Sequence, residues 1–236
     1  MTKTNQQKVK DFLINNGVII VMFILVIYTG FTSDNFFTKN NFMNILMNMS
    51  SRLVIALGIA GCVITAGCDL SAGRMIGFGA CISGMLLQRM DYSGKFFPDM
   101  QPLNVFVVAL IAMLVCAAFG TVTGFFIAYL NVPPFIATLA MMEIVYGIGL
   151  IVTNATPLGG YVEQYTNVSN GKFLGINYLI WIAIIVAAIT WFIFNMTRHG
   201  KYMYAIGGNP QAAEVAGVPV KLTLILIYMK AAAMYG

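Results

Sequence analysis

Long, continuously apolar runs separated by short polar segments dominate this chain and leave it few ways to fold. They cover approximately residues 17–32, 45–68, 72–90, 104–130, 134–153 and 174–194, and a seventh begins near Leu222 and is cut off by the terminus. A helix needs about 20 residues to cross the roughly 30 Å hydrocarbon core of a bilayer. Because the runs do not alternate apolar with polar residues, a membrane barrel is disfavoured. With 59% hydrophobic residues, 9% charged residues and a mean hydropathy of +0.83, the chain lies outside soluble composition, where charged residues reach about 25%. The fold expected is an all-α polytopic transmembrane helix bundle of about six full spans plus a truncated seventh, forming one membrane domain over 1–236.

The net charge of +5 does not point to nucleic acid, since the basic residues are spread thinly at the ends of apolar runs, where they set topology. Lys3, Lys8 and Lys10 precede the first run, and the following "TSDNFFTKNN" has no small-residue cleavage site, so that run is read as a retained span. With the N-terminus inside, Lys3, Lys8, Lys10, Arg74, Arg198, Lys201 and Lys221 fall on the cytoplasmic side. Lys39, Arg89, Lys95 and Lys172 then fall outside. The bias favours N-in and puts 195–221 in the cytoplasm.

Within that segment, "AIGGNPQAAEVAGVP" (205–219) carries start and stop signals for a short helix over Pro210–Ala216. Asn209 suits the N-cap, Pro210 the first helical position and Gly217 the C′ site, while Pro219 blocks continuation. A two-turn helix in water is unstable by itself, because nucleation is costly. It therefore calls for a cytoplasmic partner, and Ala212, Ala213 and Ala216 form a surface suited to close docking.

Enzyme motifs are absent from the sequence. There is no G-x-x-x-x-G-K-[ST] to cradle nucleotide phosphates, no H-E-x-x-H or other metal pattern, and no G-x-S-x-G. The single histidine, His199, reads as part of the basic inner flank, and Cys62, Cys68, Cys81 and Cys116 read as small buried residues. Small residues at four-residue spacing (Gly58, Cys62 and Ala66; Ala80 and Gly84; Gly120 and Gly124) suit close helix packing.

Two breaks stand out. "TAGCDLSAGRM" (65–75) places irregular backbone between the second and third runs, with Asp69 able to cap the next helix; it reads equally as a bend lining a solute path or as an ordinary inner turn. "NVPPFIATL" (131–139) is a turn fixed by two prolines. Thr121, Thr123, Thr138, Tyr146 and Gln88 offer hydrogen bonds to a passing solute or to neighbouring helices. Glu143 and Lys230, at matching depth in their runs, read either as an ion pair between neighbouring helices or as a lysine that snorkels to the interface and a carboxyl that stays protonated.

Together, "ALGIAGCVITAGCDLSAGR", "YLNVPPFIATL" and "GKYMYAIGGNPQAAEVAGVPV" resemble the permeases of bacterial ATP-binding-cassette sugar importers, in the galactose/methyl-galactoside and ribose permease family. The resemblance runs in register across nearly the whole chain. It implies a permease that passes a monosaccharide delivered by an extracytoplasmic binding protein, working with a second permease copy in the bacterial inner membrane. ATP and Mg would sit on a separate cytoplasmic ATPase subunit, and this chain would bind no cofactor, metal or nucleic acid. The family's cytoplasmic coupling loop maps onto 195–221, and its ATPase-coupling segment onto Gly207, Gly208, Asn209, Pro210, Ala212, Ala213, Glu214 and Gly217. The solute path is assigned to Asp69, Ser71, Thr138 and Tyr146. Family members continue beyond "KAAAMYG", so a fragment or a prematurely terminated frame is expected. An ion-coupled carrier and a non-transporting assembly or regulatory protein are the alternatives.

Overall fold

A computed structural model describes the backbone of residues 5–236 and the side chains of 13–236. Lys3, and the side chains of Lys8 and Lys10, on which the inner-flank reading partly rests, lie outside the described residues. The helices are α1 (Asn5–Thr32), α2 (Lys39–Ile64), α3 (Ala72–Leu86), α4 (Val105–Tyr129), α5 (Pro134–Thr153), α6 (Glu163–Asn170), α7 (Tyr178–Met196), α8 (Arg198–Gly208), α9 (Pro210–Val215) and α10 (Val220–Tyr235). Strands β1 (Lys172–Phe173) and β2 (Ile176–Asn177) form a small antiparallel hairpin before α7. The fold is all-α and polytopic, and five of these helices (α1 from Leu13, α2, α4, α5 and α7) are long and apolar enough to cross a membrane.

The chain divides at Leu46 into two compact units. In the first, α1 is followed by a turn in which the rings of Phe36 and Phe37 meet edge to face at 5.1 Å. The second unit, from Met47 onward, holds the core.

That core is organised by α4 and α10. The two helices run antiparallel and so close that a side chain at Gly120 would strike the carbonyl oxygen of Tyr228, and one at Gly124 would come within 2.7 Å of the Ile225 Cα. The four-residue glycine spacing is thus a helix crossing, in which missing side chains let backbones meet. Gly58 of α2 does the same toward Tyr235, where an added Cβ would lie 2.9 Å from the ring. On the other side, α3 contributes Met75, Phe78 and Ile82, which pack with Cys116 of α4, Met141 and Val145 of α5, and Tyr228 and Ala232 of α10. Phe78 and Phe119 lock edge to face at 5.5 Å.

Element ends follow the local chemistry. Asn104 and Asn177 cap α4 and α7 by accepting from Phe106 N and Leu179 N at 2.9 and 2.8 Å. Pro134 opens α5, and Asn154 closes it in the left-handed conformation with φ of 51°. Outside the spans, Gln88 is a structural hub: its side chain donates to Gly159 O at 3.1 Å and accepts from Phe96 N at 2.6 Å. These bonds tie Gln88 to the loops that follow α3 and α5.

The second and third spans differ from the sequence expectation. The second helix ends at Ile64 rather than Cys68, and α3 is only 15 residues long. The stretch between them is irregular, and its ends explain why. Ala66 adopts φ of 57°, and the amides of Ala66 and Gly67 turn back to Val63 O and Cys62 O. A reversal of this kind stops a helix.

Candidate functional site

Two regions carry the polar features of the fold: the irregular stretch ahead of α3, and the α8–α9 segment at the end of α7.

In the first, Asp69 Oδ1 accepts from both the amide and the hydroxyl of Ser71, at 2.9 and 2.6 Å, just ahead of α3. Its other oxygen, Oδ2, accepts from the hydroxyl of Tyr235 at 3.1 Å. Tyr228 donates to Cys68 O at 3.3 Å. Two tyrosines of α10 therefore satisfy backbone and side-chain groups of the break. Irregular backbone at membrane depth needs such protein partners. Asp69 and Ser71 are buried at 8% and 3% exposure, and their bonds are spent within the protein. Thr138 is fully buried and donates to Pro134 O, one turn earlier in its own helix, at 2.8 Å. Thr121 and Thr123 likewise bond back to Ala117 O and Phe119 O.

Tyr146 differs from these residues. It is partly exposed on α5, and the guanidinium of Arg74 lies over its ring, 3.9 Å from the centroid. Arg74 therefore does not stand in an inner flank as the charge count assumed. It lies beside the thirteenth residue of α5, about 18 Å along that helix at 1.5 Å per residue. The pairing of Glu143 with Lys230 is not formed: Glu143 stands exposed on α5. Lys230 instead lines a cavity of about 30 Å³ with Gly58, Thr190, Phe194 and Met203.

In the second region, the local signals of 205–219 are realised. Asn209 Oδ1 accepts from Ala212 N at 3.0 Å and Pro210 opens α9. Gly217 takes φ of 82°, and Gly217 N and Val218 N return to Glu214 O and Ala213 O. The segment also contains a helix the sequence reading missed, α8, capped by Thr197. Gly207 and Gly208 are its last residues. Gly207 packs directly on the carbonyl of Ile64, at the end of α2, so closely that no side chain would fit. Gly208 has open space beside it.

Ala212, Ala213 and Ala216, expected to share one docking surface, do not all face the same way. Ala213 turns inward at 4% exposure, whereas Ala212, Glu214 and Ala216 face outward. Val215, which the sequence reading did not single out, is 91% exposed. His199, near the start of α8, has its Nε2 buried without a hydrogen-bond partner. Burial, and secondarily the charge of Lys230, push its pKa down to about 4. Among the described residues, no group of three or more His, Cys, Asp or Glu side chains is placed to hold a metal.

Membrane-crossing helices, a buried polar break tied down by tyrosines and a capped, outward-facing helix outside the spans define a multi-pass membrane protein. The chain belongs to the family described as branched-chain amino acid transport system / permease component, whose model matches residues 41–236. It is a permease component. It is 39% identical to the galactose/methyl galactoside import permease protein MglC of Escherichia coli (strain K12), over the whole of this chain and 72% of that protein. To MglC of Haemophilus influenzae it is 40% identical over the same shares, and to the ribose import permease protein RbsC of Escherichia coli (strain K12) 31% identical over 93% of this chain and 66% of that protein. No solved structure matches it significantly.

Proposed function

We propose that this chain is the membrane-spanning permease of an ATP-driven importer for a monosaccharide of the galactose, methyl-galactoside or ribose kind. A binding protein on the outer side delivers the sugar, and a separate cytoplasmic ATPase supplies the energy. A second copy of the permease completes the path. The N-terminus is cytoplasmic, in the bacterial inner membrane.

The observation that carries this reading is the placement of α9. It is a capped helix whose Val215 stands almost fully in the open, outside the spans, with no partner among the described residues to cover it. Docking onto an ATPase would cover that surface and supply the stability a six-residue helix lacks. Mechanically, α9 continues from α8, and Gly207 of α8 bears on Ile64 at the end of α2. The next residues are the irregular break that leads into α3. Movement of α9 by the ATPase would be passed through this backbone contact to the break, a natural hinge between two rigid helices.

The test is uptake into vesicles reconstituted with the full permease, its ATPase and its binding protein. ATP-dependent, vanadate-sensitive uptake of radiolabelled galactose or ribose is the expected result. Uptake driven by an ion gradient without the ATPase would replace the reading with an ion-coupled carrier. A stable complex with the ATPase that moves no sugar would replace it with an assembly or regulatory role.

A further inference from the structure

Glu143 is the tenth residue of the twenty in α5, about 13 Å from the start of the helix, and it is exposed with no ion-pair partner among the described residues. One turn further on the same face stands Tyr146, carrying the guanidinium of Arg74 from α3. Two opposite charges and an aromatic ring therefore share an uncovered face near the middle of a membrane-crossing helix. A charge in contact with lipid chains at that depth is costly, so intramembrane ionisable groups face cavities or partners rather than lipid.

The backbone around these side chains is cleared as well. A Cβ added at Gly73 or Gly77 of α3, or at Gly147 of α5, would find nothing within 4 Å. At Gly120 and Gly124, by contrast, an added Cβ would strike the backbone of α10. The polar residues assigned from sequence are otherwise engaged: Asp69, Ser71 and Thr138 are buried with their bonds made inside the protein.

We infer that Arg74, Glu143 and Tyr146 form the solute-contacting site of the membrane path, and that its ligand is a neutral polyhydroxylated ring. This rests on the sugar-permease function proposed above and names the residues that meet the sugar. Arg74 offers a planar fork of N–H donors, and Glu143 an acceptor-only carboxylate. Adjacent hydroxyl groups of a sugar both donate and accept, so they match the two together. Opposite charges on one face cancel at a distance, and the site therefore has no long-range preference for a cation or an anion. The Tyr146 ring holds the guanidinium in place, since cation–π contact restricts its orientation. Asp69 and Ser71 fix the N-terminal end of α3, three residues before Arg74, and so act as positioning residues for it.

The experiment compares the full permease with Glu143→Gln and Arg74→Gln variants, each assembled with its ATPase and binding protein in vesicles, with galactose and ribose as probes. Sugar moved per ATP hydrolysed should fall about tenfold or more, as expected for loss of a hydrogen bond to a charged group. A second measurement places a cysteine at Gly147, with the four native cysteines changed to alanine, and follows its reaction with a methanethiosulfonate reagent. Slower reaction in the presence of transported sugar supports the site and does not depend on the Arg74 variant folding. Unchanged transport in both charge variants, or labelling indifferent to sugar, overturns it. So does complete disulfide cross-linking of two Gly147→Cys copies without loss of transport, which would make the face a dry contact between permeases. If wild type moves no sugar, the permease function fails and the site with it. If wild type moves sugar and the variants match it, only the site is wrong.

Discussion

Tyr235, in the last turn of α10, donates its hydroxyl to Oδ2 of Asp69 across 3.1 Å, joining residues 166 apart in the sequence. Asp69 in turn holds the amide and hydroxyl of Ser71. One carboxylate thus anchors the start of α3 to α10. Tyr235→Phe should lower the stability of the detergent-solubilised protein by about 1 kcal/mol, the usual scale for such bonds within membrane bundles. Asp69→Ala should cost more, because it also strands two donors of Ser71. Thermal denaturation followed by size exclusion reads both, and the double variant should lose less than the sum. Wild-type stability for Tyr235→Phe would show that the bond contributes nothing.

The α4–α10 crossing gives a second expected outcome. Gly120→Leu should abolish recovery of folded protein from membranes, since its side chain meets the backbone of Tyr228 rather than a yielding side chain. Gly17→Ala, which adds a methyl group where nothing lies within 4 Å, should leave recovery unchanged or slightly improved. Equal yields for the two variants would contradict the packing described.

Substitutions in α9 should separate docking from folding. Val215→Asp places a charge on a residue 91% exposed in the isolated chain, so folded yield should be normal while the ATPase no longer co-purifies. Ala213→Asp, at 4% exposure, forces a charge among α9's own neighbours and should lower folded yield instead. Normal co-purification with Val215→Asp would move the docking surface elsewhere.

The segment that follows α7 should respond to acid through His199. Its folded pKa, about 4, lies below the ordinary 6.5, so the folded state favours the neutral ring and the unfolded state takes up the proton first. The stability tied to this group is fully present above about pH 6.5 and is lost as pH falls from there toward 4. The charge that acts on it is that of Lys230, a like charge rather than an acid, and its sequence neighbours Arg198 and Lys201 are basic too. Between pH 7 and 5, His199→Gln should show a smaller loss of melting temperature than wild type. Parallel curves would rule the ring out as the source.

Topology is checked by labelling. A cysteine at the exposed Lys172, in β1, should react with an impermeant thiol reagent applied to intact cells stripped of their outer membrane. One at Gly208, where an added Cβ meets nothing, should react only after the cells are opened. The opposite pattern would invert the protein and remove α9 from the cytoplasm.

Local signals made most of the fold legible. Continuous apolar runs marked the spans, and the Asn209–Pro210 and Gly217 pattern marked α9 with its caps, because each depends on neighbouring residues alone. What escaped was long-range. Nothing near Arg74 in the sequence says that it lies over Tyr146, 72 positions on, so it was counted with the topology-setting charges. Asp69 read as able to cap α3, but it binds the N-cap residue Ser71 rather than a free amide of the helix, and its bond from Tyr235 lay beyond any local pattern. In α9, six residues rich in alanine carry too little amphipathic contrast to show which alanine turns inward, and only packing assigned that place to Ala213.

The anchoring of the break has a consequence for how the protein is made. Asp69 emerges from the ribosome 166 residues before Tyr235. At roughly 5–20 residues per second, the carboxylate spends on the order of 8 to 33 s without that partner. The α2–α3 junction is therefore the early-made but late-finished part of the bundle. Until α10 arrives it must be sheltered by the insertion machinery or by water, and slowing synthesis between α5 and α10 prolongs the interval in which it is open to membrane proteases.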